Sequence, residues 1–213
     1  MISSTSQKAY EYILDQIYQG KIPMGDPINE LSLSEQIGLS RSPIREALKK
    51  LEVEGMVDYY PGRGNFAVQL TSQDIDEIFD LRTILETAAL RKSAGHISGN
   101  SLNSLKELIE KLDPEKDSPE KFYKADEKLH GTFVNFCGNR RLENCYRTLM
   151  LQIELVRRIS ARQATHFEKS KQYHLDILEA LMNEDVDKAA KILEEHLNEV
   201  RDSTTEVIKF RGR

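Results

Sequence analysis

Tryptophan is absent from this chain, and cysteine occurs only at Cys137 and Cys145. Two cysteines so placed form neither a disulfide framework nor a paired metal-binding motif. No apolar run is long enough to span a bilayer, and the N-terminus carries no secretion signal. These absences lead us to expect a reducing cytoplasm and no membrane partner. Glycine (11) and proline (6) are scarce in a chain of 213 residues, and most fall in the first third or at apparent helix joints. Aromatic residues make up only 7%. That composition is mostly helical, and the length suits two small domains or one medium one. Positive charge is short too: the formal net charge is −5, which argues against broad affinity for polyanions.

What is present is organised around Leu33–Val68. Residues 5–20 carry apolar positions at Ala9, Ile13 and Ile17, a helical spacing that Gly20 ends. Lys21–Pro27 reads as a loop, punctuated by Pro23, Gly25 and Pro27. A short helix follows over Asn29–Ile37, ended by Gly38. Ser40 or Ser42 can cap the next helix, with Pro43 tolerated in its first turn. There Ile44, Ala47, Leu48 and Leu51 form the buried stripe, so Arg41, Arg45 and Lys49 fall on another face. Past Gly55, Met56–Tyr60 and Asn65–Gln69 alternate like strands around a Pro61-Gly62-Arg63-Gly64 turn. A basic helix followed by a basic hairpin tip suits a major groove and its neighbouring phosphates. We therefore expect residues 1–70 to be a winged helix-turn-helix DNA-binding domain. Their local charge is 7 − 9 = −2, from seven Lys/Arg and nine Asp/Glu. Affinity then depends on the bases that reach phosphates, and two copies on one site are expected.

Residues 71–213 show no strand pattern. Thr71-x-x-Asp74 resembles a capping box opening a long helix to about Ala94, broken by Gly95, Gly99 and Asn100. Further helices are expected over Ser101–Leu112, Ser118–Cys137, Arg140–Arg162, Glu168–Met182 and Val186–Ile208. The fold class is thus mainly α: a winged helix-turn-helix plus an all-helical C-terminal bundle.

Three of those helices place polar groups on their apolar stripes. Asp126 and His130 lie one turn apart between Phe122 and Phe133. His174 precedes Ile177 and Leu178, and His196 lies between Leu193 and Leu197. A buried charge or imidazole needs a partner. One carboxylate and three imidazoles match the ligand set of a divalent transition metal, Zn or Ni foremost. The set leaves room for water or a bound carboxylate. His96 and His166 read as solvent-side residues. Arg82 and Glu86 are one turn apart and are expected to pair at a helix or dimer contact. Of Arg157 and Arg158, one can project into a cavity and hold an anion; we assign effector binding to Arg82 and Arg158. Two other readings stay open: a metal-dependent hydrolase tethered to DNA, and a purely structural metal.

The run Gly25, Ile28, Glu30, Leu33, Gly38, Ser40-Arg41-Ser42-Pro43-Ile44-Arg45-Glu46-Ala47-Leu48, Leu51, Glu54-Gly55 and Gly62-Arg63-Gly64 resembles the GntR family of bacterial transcriptional regulators. Residues 71–213 resemble its FadR-type effector-binding and dimerisation domain, the FCD class, through Arg82-x-x-x-Glu86, Asp126-x-x-x-His130, His174 and His196. The resemblance implies a cytoplasmic homodimer on a palindromic operator, with a metal-containing pocket for a small organic acid effector. It implies DNA contacts from Ser40, Arg41, Ser42, Arg45 and Gly62, with Arg63 near the wing tip. Leu31 stands where some members carry a DNA-contacting Arg. The full Asp/His set disfavours an acyl-CoA effector.

Overall fold

The computed structural model describes residues 4–160 and 164–211, apart from the side chains of 160, 164–166, 210 and 211. The chain divides into two compact units, Met1–Leu70 and Thr71–Arg213.

In the first unit, α1 (Ser4–Tyr18), α2 (Glu30–Ile37) and α3 (Arg41–Val53) precede a hairpin of β1 (Val57–Tyr60) and β2 (Gly64–Ala67). The stripe that gives α3 its period is the core: Ile44, Ala47, Leu48 and Leu51 are buried, as are Ile13 of α1 and Met56. Two polar contacts fix α1 on α3. Ser6 Oγ donates to Glu46, and the Tyr10 hydroxyl donates to Glu54 at 2.8 Å. The Asn29 side chain accepts from the backbone N–H of Leu31 and Ser32, and Gly38 ends α2 at φ 72°. Ser40 takes the cap position of α3, but its side chain makes no capping hydrogen bond.

The hairpin is antiparallel, from Val57↔Ala67 to Tyr60↔Gly64. It is shorter than its alternation suggests, because the Met56 N–H is used by Leu51 O to close the end of α3. The Lys21–Pro27 segment is more than the expected loop. Gly25 N donates to Ala67 O, Ala67 N to Asp26 O, and Ile28 N to Asn65 O, so the segment lies along β2 like a short third strand.

The second unit contains α4 (Ser72–Ser93), α5 (Gly99–Glu110), α6 (Pro119–Phe136), α7 (Arg140–Ser160), α8 (Ala164–Met182) and α9 (Val186–Arg211). Helix α4 packs against α6, α7 and α9, and α8 packs against α5 and α9. The capping box is complete: Thr71 Oγ1 accepts from Asp74 N while the Asp74 carboxylate accepts from Thr71 N. Helix α5 begins earlier than expected. The Ser98 side chain accepts from Ser101 N, so Gly99 and Asn100 form its first turn instead of a break. Helix α8 likewise starts at Ala164, ahead of Glu168, so the break expected near Ala164-Thr165 is instead its first turn. Cys137 and Cys145 are free thiols. Among the described residues, no helix is long and apolar enough to cross a membrane.

Replacing Thr71 with Ala removes one half of the capping box and is expected to destabilise the second unit by about 1 kcal/mol, whereas Thr71→Ser retains most of that stability. Urea midpoints followed by far-ultraviolet circular dichroism check this; equal midpoints for both variants would refute it.

Candidate functional site

The four residues picked from three helical stripes meet at one point. Asp126 and His130 come from α6, His174 from α8 and His196 from α9, and one ligand atom of each lies within 4.8 Å of the others. Asp126 Oδ1 is 3.4 Å from His130 Nε2 and 3.3 Å from His174 Nε2. His174 Nε2 is 3.2 Å from His196 Nε2. All three imidazoles therefore turn the same ring nitrogen to a common centre. They are buried, at 0% exposure for His130, 4% for His174 and 1% for His196.

The protonation pattern follows from this crowding. Burial depresses the pKa of His174, and it depresses that of His196 further with help from neighbouring His174 and His130. Both rings are thus held neutral, with a lone pair to offer. Burial opposes the charged form of His130, but Glu86 and Asp126 outweigh it and raise its pKa. Burial likewise opposes ionisation of Asp126, yet Arg157 and His130 hold its carboxyl well below the usual range. His130 Nε2 lies near Asp126 but is too poorly aligned for a hydrogen bond, and His196 Nδ1 is buried without a partner. The neutral His174 and His196 rings, the ionised Asp126 carboxylate and the unpartnered His130 Nε2 facing the centre fit a divalent transition metal.

A second layer supports the first. Glu86, at 0% exposure, accepts from His130 Nδ1, from Arg82 Nε at 2.7 Å and from the Tyr146 hydroxyl at 2.9 Å. Its carboxylate fixes the His130 tautomer, leaving Nε2 to face the centre. Burial would raise the Glu86 pKa, but Arg82 and His130 reverse that and lower it. The expected Arg82–Glu86 pair is present, inside the bundle and against the cluster. Tyr146 was not singled out from sequence. Its signal is its place one helical turn beyond buried Leu142 on α7.

Beside the cluster is a cavity of about 50 Å³. Arg82, Asp126, Arg157, His174 and His196 line one part of it; Leu112, Phe122, Ala125, Phe167 and Val200 line much of the rest. Arg82 Nη2 is buried without a hydrogen-bond partner, 3.9 Å from Asp126 Oδ2. On α7 it is Arg157 that turns inward, where its Nε meets Asp126 Oδ2. Arg158, the expected effector contact, does not line the cavity. Its Nε donates to Glu154 at 2.7 Å, its Nη1 lies 3.3 Å from Glu120, and its guanidinium lies over Tyr123. Consecutive helical residues point about 100° apart, so only one of the pair can face inward. His96 is exposed, as expected, while the side chain of His166 lies outside the described residues.

In the first unit, Ser40, Arg41, Ser42, Arg45 and Lys49 are exposed along α3, and Gly62 and Arg63 are exposed at the hairpin turn. Arg45 Nε donates to Glu30 at 2.8 Å. The Arg63 guanidinium lies 5.1 Å from the Phe66 ring centre and 5.6 Å from that of Tyr60. Lys50 instead turns back over Tyr10, off this face. Leu31 is 49% exposed on α2.

Comparison with known proteins agrees with this two-part architecture. Residues 5–66 match the model of the bacterial regulatory proteins of the gntR family, and residues 77–199 match the FCD domain. The chain is 24% identical over 204 residues to the HTH-type transcriptional repressor RspR of Escherichia coli K12, covering 95% of this chain and 90% of RspR. Its fold is similar to that of a GntR regulator from Rhodococcus sp. RHA1, with a TM-score of 0.80 at 19% identity over 95% of this chain and 98% of that one. The Zn2+-bound FCD domain of TM0439 is also similar, 26% identical with a TM-score of 0.57 over 65% of this chain and 96% of that one. The relatives are transcriptional regulators and not enzymes. The chain belongs to the GntR family of bacterial transcriptional regulators, with a winged helix-turn-helix head and an FCD domain.

Proposed function

We propose that this regulator is a cytoplasmic homodimer that binds a palindromic operator and releases or retains it according to a small carboxylate held at a metal-containing pocket. The observation that carries this reading is the convergence of Asp126, His130, His174 and His196 at one end of a cavity that Arg82 and Arg157 also line. Asp126 and the three imidazoles would hold the metal, Zn2+ or Ni2+ by donor type, and the metal-bound FCD domain of TM0439 supports zinc. When bound, the metal supplies a fixed positive charge with open positions for a carboxylate. The spare Arg82 Nη2 is the protein's own donor for that carboxylate, and Arg157 adds charge across the cavity. A purely structural metal would leave Arg82 Nη2 buried with no hydrogen-bond acceptor.

The same arginine sits on α4, which starts at Ser72, directly after the DNA-binding unit ends at Leu70. A ligand that draws on Arg82 acts on α4, and α4 follows the head directly in sequence. The effector shifts DNA affinity only as far as it prefers one position of α4 to another. On the head, Ser40, Arg41, Ser42, Arg45 and Lys49 would meet the major groove and its phosphates. Gly62 and Arg63 would bring the wing to the flanking backbone or minor groove. The repressor name of RspR supports a repressor role.

Three outcomes are expected. Protein exposed to Zn2+ and then gel-filtered carries close to one metal per chain by elemental analysis, and His196→Ala loses it with helical content unchanged; wild type that stays metal-free would sink the site. Arg157→Lys reduces the thermal stabilisation of Zn2+-loaded protein by acetate, whereas Arg158→Ala leaves it intact; the reverse pattern would return the effector contact to Arg158. Arg45→Ala weakens binding to DNA selected from a random duplex library by about 1–3 kcal/mol, and unaltered binding would mean that another face meets DNA.

A further inference from the structure

The cavity is chemically divided, and the division bears on which acid it takes. Around Asp126, His174 and His196 it is cationic and metal-binding in character. The rest of its lining is mostly hydrocarbon. The Phe122 and Phe167 rings are stacked, with centres 4.3 Å apart and planes at 27°. Leu112, Phe122 and Ala125 form one buried apolar cluster, and Phe167 packs against it. Lys171 also lines the cavity, but its ammonium is already engaged. It donates to the backbone carbonyls of Glu110 at 3.1 Å and Leu112 at 2.7 Å, closing the end of α5. Among the described residues, the other polar side chains on the lining away from the cluster are Tyr123 and Ser170.

We propose that the effector is a small monocarboxylate with an apolar tail, its carboxylate at the metal and Arg82, its tail against Phe122 and Phe167. This inference rests on the carboxylate-pocket reading above and narrows it. A second carboxylate would lie against two phenyl rings with, among the described residues, no unengaged cation beside it, which burial penalises heavily. A polyhydroxylated acid would bury hydroxyls with too few partners. The cavity, about 50 Å³, is small, which favours a short tail. An alkyl tail meets none of these obstacles and gains from every methylene that leaves water.

Titration calorimetry of the Zn2+-loaded full-length protein with matched acids decides the matter. Acetate, propionate and butyrate form the first series, and affinity is expected to rise about fourfold per methylene. Butyrate is then compared with 4-hydroxybutyrate and succinate, whose extra polar group lies at the tail end, away from the chelating carboxylate. Each is expected to bind roughly tenfold more weakly than butyrate, or worse. In Phe122→Leu and Phe122→Ala the gain from acetate to butyrate shrinks, more so with Ala. No gain along the alkanoate series, or succinate or 4-hydroxybutyrate binding as tightly as butyrate, would overturn the apolar-tail class and leave the carboxylate pocket standing. A protein to which none of these acids binds would overturn the pocket reading and this inference together.

Discussion

A carboxylate with no exposure to solvent sets the terms for the second unit. Glu86 stays ionised only because Arg82, His130 and Tyr146 surround it with donors. Removing one partner of such a buried pair typically costs about 3–5 kcal/mol, since the other charge is left uncompensated. The donors are spread over α4, α6 and α7, so satisfying Glu86 fixes the mutual placement of three helices. It also fixes one ring. With the Nδ1 proton of His130 given to Glu86, Nε2 must face Asp126, His174 and His196. The geometry of the proposed metal site is thus imposed from behind, by a residue that would never touch the metal.

That layering explains which parts of the site were legible in the sequence. Asp126, His130, His174 and His196 stood out because each interrupts an apolar stripe, and period alone brings interruptions from packed helices together. Arg82 and Glu86 were visible as a pair one turn apart, but spacing cannot say whether a pair faces solvent, a partner copy or the core. Tyr146 was hidden because a tyrosine on an apolar face looks like ordinary core. The Arg157–Arg158 choice fell to Arg158 because two consecutive arginines differ in direction by about 100° on a helix, and periodicity is too coarse to say which faces inward when both ends of α7 are charged. In the fold, the early start of α5 has a local cause. Gly99 and Asn100 read as breakers, yet the hydroxyl of Ser98 can cap a first turn through them.

The head shows a similar tension between total and local charge. Its acids are not wasted on the DNA side. Glu46 accepts from Ser6 and Glu54 from Tyr10, so two carboxylates of the α3 segment are turned towards α1 and bind it in place. Glu30 sits against Arg45 in the first turn of α2, where the helix N-terminus also favours a negative charge. The sequence-level balance of the unit therefore understates how basic its outward face is. Lys50 moves the other way: it looks like part of the basic helix but spends its charge over the Tyr10 ring.

The strand-like segment before α2 has a mechanical consequence. A hairpin of two four-residue strands is marginal by itself. Here Gly25, Asp26 and Ile28 hydrogen-bond along β2, and Asn29 immediately afterwards caps α2. Hairpin and helix are thereby laced through a single stretch of backbone. These bonds brace the wing along β2, so less backbone freedom remains to be lost on contact with a duplex. Such stiffness would convert a small displacement at the root of the head into an equal displacement at its tip, with no compliance in between to absorb it.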